Sequence, residues 1–171
     1  MINKERWDVL NRDGTPTGRT VFRGENTLRA GEYHLVVHIW IISSDGRLII
    51  QRRSPFKRLM PGEWAATGGA AISGEDSYTA AQRELFEELG IPSTPQTLKK
   101  LARIYRRSSL LDVWGIVSDC DPAKLTLQKS EVAAVRSATR AQLKEMISNG
   151  SFHNYGKEYF QVVFSKLDRL V

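Results

Sequence analysis

Little in this sequence would cross-link the chain or hold it in a membrane. Its 171 residues include a single cysteine, Cys120, so no disulfide can form within the chain and a reducing compartment is expected. The longest apolar run, residues 35–42, is short and is interrupted by His38, which excludes a membrane-spanning helix of about 20 residues. Residues 1–6 lack the apolar core of a signal peptide. We therefore expect a cytoplasmic protein without a membrane segment.

Internal repeats, low-complexity tracts and linkers are also missing from the sequence, so residues 1–171 are expected to form one domain. At this length, with 41% hydrophobic residues, the chain can bury a core. Hydrophobic patterns and turn residues predict mixed α/β structure. The predicted strands are a hairpin at about 7–22 and single strands at 34–43, 47–52, 98–107, 110–117 and 131–136, and the predicted helices are 77–89, 139–149 and 156–168.

The first predicted helix is the most informative part of the sequence. Asp76 is suited to cap its N-terminus, and Gly90 is suited to end it in a left-handed conformation. Within the helix Glu84, Glu87 and Glu88 stand at positions i, i+3 and i+4, so their carboxylates share one face. Their mutual repulsion favours a bound cation, and hard oxygen ligands suit Mg²⁺ or Mn²⁺. A solvated acidic surface is the alternative for these residues taken alone.

The segment around this helix is similar to a known motif. Residues 69–91 match the Nudix box, Gly-x5-Glu-x7-Arg-Glu-U-x-Glu-Glu-x-Gly-U, in which U is a bulky aliphatic residue. The matching residues are Gly69, Glu75, Arg83, Glu84, Leu85, Glu87, Glu88, Gly90 and Ile91. A chance match at all these positions is on the order of one in a million for a chain of this length. The chain therefore resembles the Nudix hydrolase superfamily.

This resemblance implies a fold, a reaction and a metal site. The implied fold is of the α/β (α+β) class, with a curved mixed β-sheet sandwiched between α-helices. The implied reaction is cleavage of a phosphoanhydride bond in a nucleoside diphosphate linked to another moiety, or in a related organic pyrophosphate. The implied cofactor is Mg²⁺, with Mn²⁺ as a substitute. By resemblance, Glu84, Glu87, Glu88 and the backbone carbonyl of Gly69 would ligate the metal.

Further catalytic residues follow from the same resemblance. Arg83 would face away from the metal ligands, pair with Glu75 and orient the neighbouring acidic groups. The general base in this family comes from Glu84, from a neighbour in the box or from a later loop, where Glu131 is the candidate. An ordinary exposed glutamate is the alternative for Glu131. The candidate catalytic residues are therefore Arg83, Glu84, Glu88 and Glu131.

Basic residues ahead of the box are candidates for substrate binding. Arg52, Arg53 and Lys57 could hold substrate phosphates, since guanidinium groups make bidentate contacts with phosphate. A solvated basic rim is the alternative for these three residues. Trp64 could stack on a base or an isoprenoid-like group, or it could belong to the core.

The net charge of the chain and two histidines give broader expectations. A formal charge of +6 and a pI near 9.6 favour an anionic partner. A small nucleotide or organic pyrophosphate satisfies this charge, and an RNA 5′ end is not excluded. Homodimers are frequent among Nudix proteins, so a homodimer is a further expectation. His34 and His38 share one face of a strand, either as hydrogen-bonded core residues or as metal or substrate contacts.

Two other functions compete with hydrolysis. Residues 7–18 and 51–64 resemble the isopentenyl-diphosphate-isomerase-like branch of the superfamily, whose isomerases carry a catalytic cysteine in the segment entering the box. Residues 65–70 contain no cysteine here, and Thr27 stands where a histidine partner of His34 would be expected. The other alternative is a non-catalytic nucleotide-sensing module. Such modules commonly lose box glutamates, whereas this chain keeps all of them, so hydrolysis is preferred.

Overall fold

A computed structural model of the protein describes residues 5–25 and 28–171, so Thr27 lies outside the described residues. The strands are β1 (Arg6–Leu10), β2 (Pro16–Phe22), β3 (His34–Ile42), β4 (Leu48–Arg53), β5 (Trp64–Ala65), β6 (Thr67–Ala70), β7 (Leu98–Tyr105), β8 (Ser109–Val117) and β9 (Val132–Ala138). The helices are α1 (Ser77–Leu89), α2 (Arg140–Ser148) and α3 (Lys157–Leu167), with a short 3-10 turn at Pro122–Lys124. All predicted elements are present, with bounds that differ by at most two residues.

The strands form a hairpin and one large mixed sheet. β1 and β2 pair antiparallel as the predicted hairpin. The large sheet has seven strands in the path β5-β4-β3-β8-β7, with β6 paired to β3 and β9 paired to β4. β3 and β8 run parallel, and the other pairs in this sheet are antiparallel. The prediction of a mixed sheet is therefore confirmed.

Alternation along β3 divides the apolar core between the two faces of the sheet. Val37 and Ile39 belong to a cluster that also contains Leu85 and Leu89 of α1. On the other face, Trp40 belongs to a cluster formed with residues of α2 and α3. The sheet is therefore sandwiched between helices, as predicted. No helix in residues 5–25 and 28–171 is long and apolar enough to cross a membrane.

Helix α1 has the bounds and the caps that the sequence predicts. The side chain of Asp76 accepts a hydrogen bond from the backbone N–H of Thr79. Gly90 adopts the left-handed conformation, with φ of 69°, at the other end. The short strands β5 and β6 were not predicted. β6 pairs with β3 and brings Gly68 and Gly69 beside α1, which assembles the candidate site.

Candidate functional site

The acidic face of α1 forms one wall of a cavity of about 350 Å³. The cavity lies beside β6 and also reaches His34 and His38 of β3 and Arg53 of β4. Five carboxylates line it, those of Glu5, Glu84, Glu87, Glu88 and Glu131. The helical spacing of the box glutamates therefore places all three on the cavity wall, as the sequence predicts.

Glu88 is a buried carboxylate whose hydrogen-bond donors are neutral. It is 2% exposed. Its Oε2 accepts a hydrogen bond of 3.0 Å from Gln51 Nε2 and one of 3.1 Å from the backbone N–H of Gly68. Burial, together with the charge of Glu84, raises the pKa of Glu88 to about 8. The fold thus holds an acidic group in a place where its negative charge is only weakly compensated.

Arg83 connects the remaining acidic residues of the box. Its Nε and Nη2 donate to the two carboxylate oxygens of Glu75 at 2.7 and 2.9 Å, so the predicted ion pair is present. Its Nη1 donates to Glu84 at 2.9 Å and to Glu87 at 3.1 Å. The expectation that Arg83 faces away from these two residues is therefore wrong, because its long side chain spans the helix surface to both. Burial still raises the pKa of Glu84, although Arg83 opposes the shift.

The glycine pair of β6 makes room for two different neighbours. A Cβ on Gly68, whose φ is +152°, would lie 2.1 Å from the carbonyl oxygen of Val37, so the close pairing of β6 with β3 requires glycine here. A Cβ on Gly69 would lie 2.3 Å from Oε1 of Glu84. The backbone of Gly69 is therefore next to the Glu84 carboxylate, as is required if both groups ligate the same metal ion.

The box residues fit the expected cofactor by donor type. Within residues 5–25 and 28–171, no group of three or more His, Cys, Asp or Glu side chains is gathered so that it could hold a metal ion. In this arrangement Glu84 and Glu87 are bound to Arg83. Buried carboxylate oxygens beside the backbone of Gly69 are nevertheless the hard donors that Mg²⁺ or Mn²⁺ prefers. A cation would compete with Arg83 for Glu84.

The structure separates the predicted substrate-binding residues into two pairs. Arg53 and Lys57 line the cavity. Arg53 is 9% exposed and donates from Nε to the carbonyl of Leu59 at 3.0 Å, whereas Lys57 forms an ion pair with Glu131. Arg52 and Trp64 are cross-strand partners that do not belong to the cavity lining.

Strand alternation explains this separation, because Arg52 points to the face opposite Arg53. Arg52 donates from Nε to the carbonyl of Gly62 at 2.9 Å. The ring of Trp64 packs against one core cluster and lies 4.8 Å from the guanidinium of Arg136. The core alternative for Trp64 therefore agrees with its position, and neither Arg52 nor Trp64 lies where it could contact a substrate bound in this cavity.

Aromatic and imidazole side chains complete the cavity wall. The ring of His34 stacks on Trp7, with centroids 4.3 Å apart and planes at 8°, and its Nδ1 lies 2.9 Å from the carbonyl oxygen of Ser108. Burial lowers the pKa of His38 to about 3, so this imidazole is neutral near pH 7. Burial also raises the pKa of Tyr155 to about 12, which keeps its hydroxyl protonated.

Sequence reasoning missed Trp7, Gln51 and Tyr155 as parts of the site. None belongs to the box, although Trp7 and Gln51 lie in the segments that resemble the isopentenyl-diphosphate-isomerase-like branch, and each reaches the site through tertiary packing. The spacing of His34 and His38 correctly places both residues on one face of β3.

Known proteins share both the sequence and the fold of this chain. The family model for the NUDIX domain matches residues 32–158. An uncharacterized Nudix hydrolase of Listeria monocytogenes is 40% identical over 152 residues, which cover 88% of this chain and 89% of that protein. The family match thus includes the complete box and most of the cavity wall.

Two crystal structures extend the comparison. DR0079 from Deinococcus radiodurans has a TM-score of 0.76 at 26% identity, covering 95% of this chain and 99% of that chain. The NUDIX domain of Shewanella oneidensis NrtR, solved in complex with ADP-ribose, has a TM-score of 0.61 at 16% identity, covering 86% of this chain and 93% of that chain. The latter likeness concerns the fold alone. With the box intact at residues 69–91, this chain belongs to the NUDIX family, as a member that resembles its hydrolases.

Proposed function

We propose that this protein is a Mg²⁺-dependent pyrophosphohydrolase, in which Mn²⁺ can replace Mg²⁺. Its substrate is a nucleoside diphosphate linked to another moiety, or a related organic pyrophosphate. The observation that carries the proposal is the pair of carboxylates Glu84 and Glu88, whose pKa values burial raises, in the same cavity as Arg53 and Lys57. Carboxylates suited to a cation and cations suited to phosphate therefore line one cavity.

The box residues are assigned to the metal. Glu84, Glu87, Glu88 and the carbonyl of Gly69 would hold a divalent cation, which supplies charge neutralisation at the phosphates and activation of a water molecule. Arg83 orients Glu84 and Glu87 through its contacts with both side chains. Gln51 fixes the Glu88 carboxylate, since its amide donates to one oxygen of that group.

The opposite side of the cavity is assigned to the substrate and the general base. Arg53 would bind phosphate oxygens, because it lines the cavity and its guanidinium donates to a neutral acceptor, the carbonyl oxygen of Leu59. Glu131 is the proposed base, since it lies on the cavity wall and Lys57 holds its carboxylate in place. Lys57 would also lie beside the phosphates. In this assignment the attacking water would lie between Glu131 and the box.

A substrate panel with matched variants tests the proposal. The purified protein is incubated with Mg²⁺ and nucleoside triphosphates, nucleotide sugars, ADP-ribose, dinucleoside polyphosphates, coenzyme A, isopentenyl diphosphate and 5′-triphosphorylated RNA. We expect turnover of one class, reduced about 100-fold or more in Glu88→Gln. Glu145→Gln, an isosteric change at an exposed site on α2, should retain wild-type turnover. Unchanged turnover in Glu88→Gln would refute the assignment of the metal site.

The same panel distinguishes the two competing functions. Isomerisation of isopentenyl diphosphate without phosphate release would favour the isomerase, and nucleotide binding without turnover would favour the sensor. The position of the cysteine argues against the isomerase, because Cys120 lines a different cavity, beside Asp121 and Lys124. Cys120 is not among the residues that line the cavity of Glu84 and Glu88.

A further inference from the structure

A chain of buried hydrogen bonds fixes the imidazole of His38. This residue is 8% exposed and lines the cavity. Its Nδ1 lies 2.9 Å from the hydroxyl oxygen of Tyr159, and the indole Nε1 of Trp40 lies 2.8 Å from the same oxygen. Tyr159 is itself buried in the core cluster of α2 and α3. Three polar groups, the imidazole, the indole and the hydroxyl, are therefore hydrogen-bonded to one another in a buried environment.

Only one arrangement of protons satisfies all three groups. The indole nitrogen of Trp40 is a donor, so Tyr159 must accept from it. The proton of the Tyr159 hydroxyl then needs an acceptor, and among the described residues Nδ1 of His38 is the one within hydrogen-bond distance. An imidazole that donated from Nδ1 would instead leave the hydroxyl proton of Tyr159 buried and unpaired, which is unfavourable. Neutral His38 therefore carries its proton on Nε2.

The surroundings of His38 contain further donors. The ring of Tyr155 lies 4.7 Å from the imidazole, and its hydroxyl accepts from the backbone N–H of Ala66 at 3.2 Å. The hydroxyl proton of Tyr155 remains available to an acceptor. Arg53 and Arg106 line the same cavity, and both act electrostatically on His38. In the described part of the chain neither guanidinium forms an ion pair with a carboxylate.

We propose that Nε2–H of His38 and O–H of Tyr155, flanked by Arg53 and Arg106, form a subsite that binds a phosphate group of the substrate. The inference rests on the proposed function, since it assigns part of that diphosphate to this wall of the cavity. Phosphate oxygens accept hydrogen bonds and carry negative charge, so they match a wall made of donors and cations. The neutral imidazole adds a directed donor between the two arginines without adding a third positive charge. Tyr159 is a positioning residue, because it acts only through His38.

Two substitutions of His38 test which of its two ring nitrogens contacts the phosphate. The amide nitrogen of glutamine can occupy the place of Nε2, whereas the shorter side chain of asparagine reaches only the place of Nδ1. We expect His38→Asn to raise KM about 10- to 100-fold with little change in kcat, as expected for loss of a hydrogen bond to a charged group. His38→Gln should restore most of the loss. Tyr155→Phe, which keeps the ring, should also raise KM.

Two measurements do not depend on turnover. In ¹⁵N spectra of the wild-type protein, His38 should show a protonated Nε2 and an unprotonated Nδ1, and Tyr159→Phe should abolish this preference. Calorimetric titration with inorganic pyrophosphate should show weaker binding to His38→Asn and Tyr155→Phe. Glu145→Gln is the control, since Glu145 is exposed on α2 and does not line the cavity.

The outcomes distinguish this inference from the proposed function. If no panel member is hydrolysed but His38→Asn weakens pyrophosphate binding, the hydrolase proposal fails and the subsite is retained. If a substrate is hydrolysed and His38→Asn keeps both the wild-type KM and the wild-type pyrophosphate affinity, the subsite is refuted. A protonated Nδ1 on His38 would refute it as well, even where the variants fail to fold.

Discussion

Two buried carboxylates in this molecule have opposite environments. Asp112 lies on β8, has no exposed surface and accepts three hydrogen bonds from cations. Arg103 donates to it from Nε at 2.7 Å and from Nη2 at 2.9 Å, and Lys100 donates from Nζ at 2.6 Å. Glu88 on α1 is buried to nearly the same degree but accepts only from the amide of Gln51 and the backbone of Gly68.

The pKa values of the two groups move in opposite directions. Burial alone would raise the pKa of Asp112, but the hydrogen bonds from Arg103 and Lys100 outweigh it and lower the pKa overall. For Glu88 burial prevails and raises the pKa. Burial therefore does not separate a structural acid from a functional one, whereas the charge of the hydrogen-bond donors does. Asp112 is neutralised within the fold, whereas Glu88 has no cationic hydrogen-bond donor, which agrees with its proposed role as a metal ligand.

Glu88→Gln is the substitution with the largest expected effect. The variant should fold with a free energy of unfolding no lower than wild type in the absence of metal, because burial raises the pKa of Glu88 to about 8 and the amide replaces a carboxyl that is already largely protonated near pH 7. The stabilisation by added Mg²⁺ should disappear. In the wild-type protein that stabilisation should be about 2.7 kcal/mol at a metal concentration 100 times Kd. Urea unfolding with and without MgCl₂ measures both quantities.

Glu145→Gln serves as the control for this experiment. It removes one exposed carboxylate from α2, far in sequence from the box, and should keep the full response to Mg²⁺. A Glu88→Gln protein that Mg²⁺ stabilises as strongly as it stabilises wild type would show that Glu88 is not a ligand, and the contrast with Asp112 would lose its functional meaning.

Asp112→Asn should give the reverse result. The asparagine cannot neutralise Arg103 and Lys100, so two cations near the sheet lose their partner. We expect the free energy of unfolding to fall by about 2 kcal/mol, a moderate value because both cations are partly solvated. The stabilisation by Mg²⁺ should stay as in wild type. A loss below about 0.5 kcal/mol in urea unfolding would contradict the structural role of Asp112.

The contribution of Asp112 to the free energy of unfolding should depend on pH. Because the folded pKa of Asp112 lies below its ordinary value of 3.8, the ionised carboxylate stabilises the fold above that value. The contribution is lost as the pH falls through the folded pKa. The difference in unfolding free energy between wild type and Asp112→Asn should therefore be constant from about pH 5 to 7 and shrink below about pH 4. A difference that grows on acidification would mean that the folded pKa of Asp112 lies above its ordinary value, which would contradict this prediction.

The sequence predicted α1 well because its signals are local. The cap at Asp76 and the left-handed Gly90 act within one turn of the helix, so neither depends on the rest of the fold. The i, i+3, i+4 spacing of the box glutamates then decides which face they occupy. The alternation in β3 likewise predicted that His34 and His38 would lie on the same side. In each case neighbouring residues determine the geometry.

The partners of these residues could not be predicted in the same way. Gln51 reaches Glu88 across 37 residues, and Tyr159 reaches His38 across 121. Both contacts depend on how the helices dock against the sheet. Asp112 lies in an apolar strand, and its ion pair depends on the register that sets it opposite Arg103. A polar residue within an apolar run shows that a partner is needed without showing which residue supplies it.

The smallest expected effect comes from removing one of the two cations at Asp112. Lys100→Met should lower the free energy of unfolding by about 0.5 kcal/mol, because the lysine is 39% exposed and the two bonds from Arg103 remain. Lys99→Met, at the exposed neighbouring position of β7, is the matched control and should change stability less. A loss in Lys100→Met as large as that in Asp112→Asn would mean that Arg103 alone cannot neutralise the carboxylate. Asp112 would then resemble Glu88 once a single cation is removed, and the number of charged donors would decide between the two kinds of site.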